Sequence, residues 1–199
     1  MRVILVAAGL AALLAASQFA LRAFGPPDGG LLSERARPVA RAVAAPDVAL
    51  TDLRGGKARL SGRGETTVAM LWATWCSICK RDLPKFAALA EEMAAAPVTF
   101  LAVAIDEPAT AEGVASDLAA LAPGLAPLHE GTGALAAAIG LNGTPTTLVI
   151  DRFGQVVAFI VGPGPWADPA TADWLEALAE AKSPEAARGL LTGPDFARR

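Results

Sequence analysis

Cysteine and histidine are scarce in this chain. Its 199 residues include two cysteines and a single histidine, His129. Zinc takes about four ligands, so the lack of a second cysteine pair counts against a metal site. Positive charge is scarce as well. From Pro46 onward 12 Lys or Arg stand against 18 Asp or Glu, a net charge of −6. That balance argues against nucleic acid or an anionic membrane surface as a partner of this part. No internal repeat is present, and the alanine bias keeps periodic apolar positions, so it reflects composition rather than low complexity. A chain of this length gives one ordinary domain with appendages.

Long apolar runs are confined to the front. Val3 to Leu21 is interrupted only by Ser17 and Gln18 and is preceded by Arg2. As a helix it would reach about 28 Å, close to the hydrocarbon thickness of a bilayer. A cleaved signal peptide fits a positive start, an apolar stretch Val3–Ala16, and small residues Ala15 and Ser17 at the cleavage spacing. An uncleaved anchor continues through Phe19 to Phe24. The apolar residues run all round, unlike the single stripe of a core helix. Residues 1–24 therefore read as an anchor or signal segment, with anchoring through residues 3–24 favoured. Arg22, Arg35, Arg37 and Arg41 follow the segment, an order the positive-inside rule would reverse. The expected periplasmic or extracytoplasmic location rests instead on the redox chemistry below. Residues 25–45 carry Pro26, Pro27, Gly29, Gly30 and Pro38 without a regular period, and read as a linker.

Past the linker, Val48 to Leu60 predicts a hairpin turning at Arg54-Gly55-Gly56-Lys57. The compact apolar run Thr67 to Trp72 predicts a buried strand. It leads through Ala73-Thr74-Trp75-Cys76 into a helix marked by Leu83, Phe86, Ala90 and Met93. Pro97 ends that helix, and Val98 to Ile105 predicts a second buried strand. Helices are expected over Thr110–Leu121 and Gly133–Ile139. Strands Thr146–Ile150 and Gln155–Val161 are joined by the turn Asp151-Arg152-Phe153-Gly154. Trp174, Leu175, Leu178 and Ala181 mark a last amphipathic helix, and the tail 183–199 shows no convincing element. This order predicts an α/β fold, a mixed sheet with helices on both faces.

The two cysteines lie three apart, and their placement says more than their spacing. Cys76 falls where a buried strand turns into a helix, so its sulfur would sit at a helix N-terminus. Unpaired backbone N–H groups and the dipole favour a thiolate there, and the thiolate is the nucleophile. Cys79, one turn on, shares that helical face and could attack a mixed disulfide formed on Cys76. A passive disulfide closing so small a loop would contribute little stability. Half of a metal site is the other bland reading.

The run Trp72-Ala73-Thr74-Trp75-Cys76-Ser77-Ile78-Cys79, with Pro84 five beyond, resembles the thioredoxin superfamily. It is most similar to the TlpA/ResA/CcmG-like group of exported, often membrane-tethered reductases. Gly143-Thr144-Pro145-Thr146 and Leu148-Val149-Ile150-Asp151 carry the resemblance further, and it spans residues 46–182. It implies a thioredoxin-like fold with an N-terminal hairpin before the motif. It implies a cis bond before Pro145, facing the cysteines, and a backbone at Thr144 that pairs with the substrate chain. Trp75 and Trp72 themselves read as an apolar rim around the sulfurs or as plain core. Departures are present too. Met70 stands where thioredoxin keeps a buried aspartate, Ile78 where relatives often carry proline, and Ala73 where a peroxiredoxin needs threonine. Asp82 falls where cytochrome-maturation members often have glutamate. It reads as a proton relay or as a solvated first-turn acid, and His129 as a surface loop residue.

The expected activity is protein disulfide reduction, with Cys76 attacking and Cys79 resolving. The expected partners are an exported disulfide-containing protein, such as a cytochrome c maturation client, and an upstream membrane dithiol donor; no cofactor is implied. A disulfide-forming oxidase would need a strongly stabilised reduced form, for which Ser77-Ile78 offers no histidine or charge. A thioredoxin-like binding module without turnover is the reading from another class.

Overall fold

The computed structural model describes residues 35–39, 41–60 and 64–192. The apolar run 3–24 lies outside these residues. Among the described residues the elements run β1 (Ala36–Pro38), β2 (Ala49–Asp52), β3 (Lys57–Arg59), β4 (Thr66–Trp72), α1 (Ser77–Glu92), β5 (Val98–Ala104), α2 (Ala111–Leu121), β6 (Pro127–His129), α3 (Ala134–Ile139), β7 (Thr146–Ile150), β8 (Val156–Val161), α4 (Pro169–Glu180) and α5 (Pro184–Thr192). No helix among them is long and apolar enough to cross a membrane.

The strands form one mixed sheet of eight in the order β1-β8-β7-β4-β5-β6-β2-β3. β4 is buried at every position, which is why its sequence is a near-continuous apolar run rather than an alternation. Its side chains still divide by a period of two. Val68, Met70 and Trp72 join α1, α2, α4 and α5 in one core cluster. Ala69 and Leu71 meet Leu148, Ile150 and Leu135 of α3 in the other. Helices therefore cover both faces, and the fold is thioredoxin-like with the hairpin β2–β3 at one edge.

β4 pairs with β5 in parallel and with β7 antiparallel. The end of β4, the end of β5 and the start of β7 consequently share one edge of the sheet. Three loops meet there: Ala73–Cys76, the segment after Ala104, and Gly143–Pro145.

Several expectations are corrected. Part of the supposed linker is β1, which pairs antiparallel with β8 through Ala36↔Ile160 and Arg37↔Phe159. Three residues are too few to show a period. Part of the supposed featureless tail is α5, whose Ala187 and Leu191 are buried in the core. Ser183 Oγ accepts from the Ala186 amide at 3.2 Å, so Ser183-Pro184-Glu185 is a helix-start signal that a purely periodic reading passes over. His129 is no surface residue. It ends β6, is buried, and its Nε2 lies 2.8 Å from the Asp106 carbonyl oxygen. β6 is three buried residues without alternation, so its sequence carries no strand pattern.

Candidate active site

The sequence places Cys76 at the N-cap of α1, and its backbone there is extended, φ −87° and ψ 96°. Its amide donates to the Ala73 carbonyl at 3.0 Å. The Cys79 amide in turn donates to Cys76 Sγ at 3.1 Å. A sulfur at this position is the helix cap itself, so a thiolate formed there gains both the N–H bond and the dipole. Cys76 and Cys79 are joined as a disulfide. They differ in access: Cys76 is 7% exposed and Cys79 0%. Both are buried, and of the two only Cys76 keeps a measurable residual exposure.

The Thr144–Pro145 bond is cis, and Thr144 O lies 3.8 Å from Cys76 Sγ. The loop is fastened from both sides. The Gly162 amide donates to the Pro145 carbonyl at 2.9 Å, and Thr146 Oγ1 donates to the Gly143 carbonyl at 2.8 Å. Trp75 is 72% exposed, whereas Trp72 is fully buried under the sheet face. Of the two tryptophans expected to rim the sulfurs, Trp75 alone is available to a partner.

Asp106 escaped the sequence reading. It is buried just past β5 and accepts the Thr74 amide at 3.1 Å on each carboxylate oxygen and Thr74 Oγ1 at 2.5 Å. It thereby fixes the loop two residues before the nucleophilic position. The available signal was an acid directly after the second predicted strand, since parallel strands side by side bring their ends together.

Asp82 lies one turn beyond Cys79, and the solvated reading of it is corrected. The carboxyl is 3% exposed. Its Oδ2 accepts from Trp166 Nε1 at 2.8 Å and from the Gly164 amide at 3.0 Å. Burial raises its pKa above the ordinary 3.8, while those two bonds and the charges of Lys85 and Arg35 pull it partly back. The folded state thus holds this proton more tightly than the unfolded chain does. The stability it contributes is complete below the ordinary aspartate value and is lost as pH rises through the raised one. Asp82→Asn keeps an acceptor for both donors but cannot ionise. Its thermal midpoint is expected to gain on the parent's as pH goes from about 4 to about 8. A calorimetric difference constant across that range would contradict the assignment.

The pattern of the family described as Redoxin matches residues 40–175. The chain is similar to the thiol–disulfide oxidoreductase ResA of Geobacillus kaustophilus, 33% identical over 120 residues, 59% of this chain and 67% of the relative. It is 27% identical over 99 residues, half of each chain, to a Pasteurella multocida protein named "Probable thiol:disulfide interchange protein DsbE-2". Among solved structures it resembles a thiol:disulfide interchange protein of the thioredoxin family from Chlorobium tepidum. That match has a TM-score of 0.54 at 26% identity and covers 69% of this chain and 98% of the other. A Cys76–Cys79 disulfide at the start of the helix that follows the central strand β4 of a thioredoxin-like sheet has the same meaning as these matches: the chain belongs to the Redoxin family and is a thiol–disulfide oxidoreductase of the ResA/DsbE type.

Proposed function

We propose that the protein reduces disulfides of exported proteins, cytochrome c maturation clients among them. The observation that carries this reading is the difference in access within the buried pair, Cys76 at 7% exposure and Cys79 at 0%. In the reduced protein the Cys76 thiolate attacks one sulfur of the client disulfide, and the other client sulfur leaves as a thiol. Cys79 then attacks Cys76 Sγ, which releases the second client thiol and forms the Cys76–Cys79 bond. Two electrons pass to the client, and an upstream membrane dithiol donor restores the pair.

Trp75 and the Thr144 backbone receive the client chain, with Pro145 offering no N–H beside the sulfurs. Asp82, whose burial raises its pKa above the ordinary aspartate value, relays protons for Cys79 one turn away. Residues 3–24 anchor the chain with the domain on the extracytoplasmic side, where disulfides form and persist.

The uncharged Ser77-Ile78 pair argues for the reductive direction. The Cys76–Cys79 midpoint is expected near the thioredoxin value of about −270 mV rather than the about −120 mV of a strong oxidase. Equilibration in thiol redox buffers measures it, and a midpoint above about −160 mV would reverse the direction. Insulin reduction separates both enzymes from a binding module without turnover.

A further inference from the structure

We infer that Asp106 is a positioning residue for the reaction. Its carboxylate holds the loop that presents Cys76 and sets a negative charge near the sulfur, which keeps the Cys76–Cys79 pair reducing. The inference rests on the thiol–disulfide reading of that pair and adds what tunes it. Ser77-Ile78 merely lacks what an oxidase needs, whereas Asp106 supplies a cause for the reductive direction.

The position follows from the sheet register. β4 and β5 run parallel with Trp72 opposite Ala104, and Thr74 and Asp106 each lie two residues further on. The Ile105 amide donates to the Trp72 carbonyl at 2.9 Å, which carries the pairing past the strand ends. Asp106 is 3% exposed, and its carboxylate only accepts. The Thr74 amide stands 3.1 Å from each oxygen, and Thr74 Oγ1 donates to Oδ1. Both oxygens are therefore directed at one residue of the reactive loop. The backbone of Asp106 is fixed to β6, where His129 Nε2 lies 2.8 Å from its carbonyl oxygen. The sheet holds the carboxylate, and the carboxylate holds the loop.

Charge adds tuning to this fastening. Among the described residues no ion pair includes Asp106. Thr74 and Cys76 are two residues apart, so the carboxylate stands on the order of 10 Å from the sulfur. At an effective dielectric of about 20, a unit charge at that distance moves a pKa by up to about one unit. A like charge disfavours the thiolate and opposes the helix cap and dipole at Cys76. The reduced form is then less stable, and the pair gives up its electrons more readily. Other charged groups nearby are engaged elsewhere or face water. Asp82 accepts from Trp166 and Gly164, Lys80 Nζ pairs with Asp117 at 2.7 Å, and Glu107 is exposed.

The test uses the reduced full chain in detergent, with the Cys76 thiolate titrated by its ultraviolet absorbance. Asp106→Asn keeps an acceptor for Thr74 but carries no charge. Its Cys76 pKa is expected about 0.5–1 unit below the parent's. At a pH below both values the rate with dithiodipyridine, a small neutral disulfide, should rise about two- to threefold. The gain stays below the gain in thiolate, because the more acidic thiolate is the weaker nucleophile. The midpoint should rise by up to about 30 mV, the equivalent of a tenfold change in the equilibrium. Glu107→Gln, one residue on but exposed, should move none of the three. If Asp106→Asn does not fold, Asp106→Ser is the second neutral variant for the same titration. A folded neutral variant with the parent's thiolate pKa and midpoint, or failure of both variants to fold, would overturn the tuning role alone. A parent chain that reduces neither insulin nor dithiodipyridine would overturn the thiol–disulfide reading and the tuning with it.

Discussion

Cys76→Ser is expected to abolish disulfide reduction, by at least about a thousandfold, the scale on which removal of a nucleophile acts. The remaining thiol cannot substitute, because Cys79 is fully buried in the first turn of α1 while Cys76 keeps some exposure. Cys79→Ser should behave differently. Its Cys76 sulfur still attacks, but nothing resolves the mixed disulfide, so client protein accumulates covalently bound. Non-reducing electrophoresis followed by mass spectrometry of the captured chains reads both outcomes and names the clients. Equal turnover by the two single variants would show that the sulfurs are interchangeable, contrary to the access difference.

The second large effect is on stability. A Cβ built on Gly164 would stand 2.1 Å from Cε2 and Cζ2 of the Trp166 indole. That ring cannot swing aside freely. It is 3% exposed, packs edge-on against Phe86 with centroids 5.0 Å apart, and donates Nε1–H to Asp82. Gly164→Ala therefore overpacks a filled site, at a cost of about 1–3 kcal/mol. The melting temperature should fall by about 5–10 °C for a domain of this size. The displaced indole also takes a donor from the buried carboxylate of Asp82, so the pH dependence of stability should change with it. Gly189→Ala is the control. Nothing lies within 4 Å of its added carbon, and in the interior of α5 alanine is the better helix former by up to about 1 kcal/mol. The same chemical change should raise stability there. If Gly164→Ala melts like the parent, the packing of Trp166 around it is wrong.

The central strands and the reactive pair were legible for a physical reason. A strand buried on both faces is largely apolar, as β4 is, and β4 and the partly buried β5 are long enough for their apolar runs to stand out. Its junction with an amphipathic helix located Cys76 at a helix start without any tertiary information. The expected end of α1 at Pro97 was less accurate. The helix closes at Met93, four residues earlier, because Ala94–Ala96 satisfy its last carbonyls through turns.

What escaped the sequence depends on contacts between distant residues. Asp106 and Thr74 are 32 positions apart, and Asp82 and Trp166 are 84 apart. No local pattern marks an acid as buried when its partners come from other elements. Asp82 reads as a solvated helix acid until Gly164 and Trp166 are folded over it, and His129 as a loop residue until β6 joins β5. β1 carries too few residues for a period and exists because β8 offers it an edge. The sequence by itself determined the fold class, the buried strands and the thiol at a helix N-terminus, since propensity and periodicity are local. Only the tertiary structure decided which sulfur keeps some exposure and which carboxylates are buried, since burial and pairing belong to the packed chain.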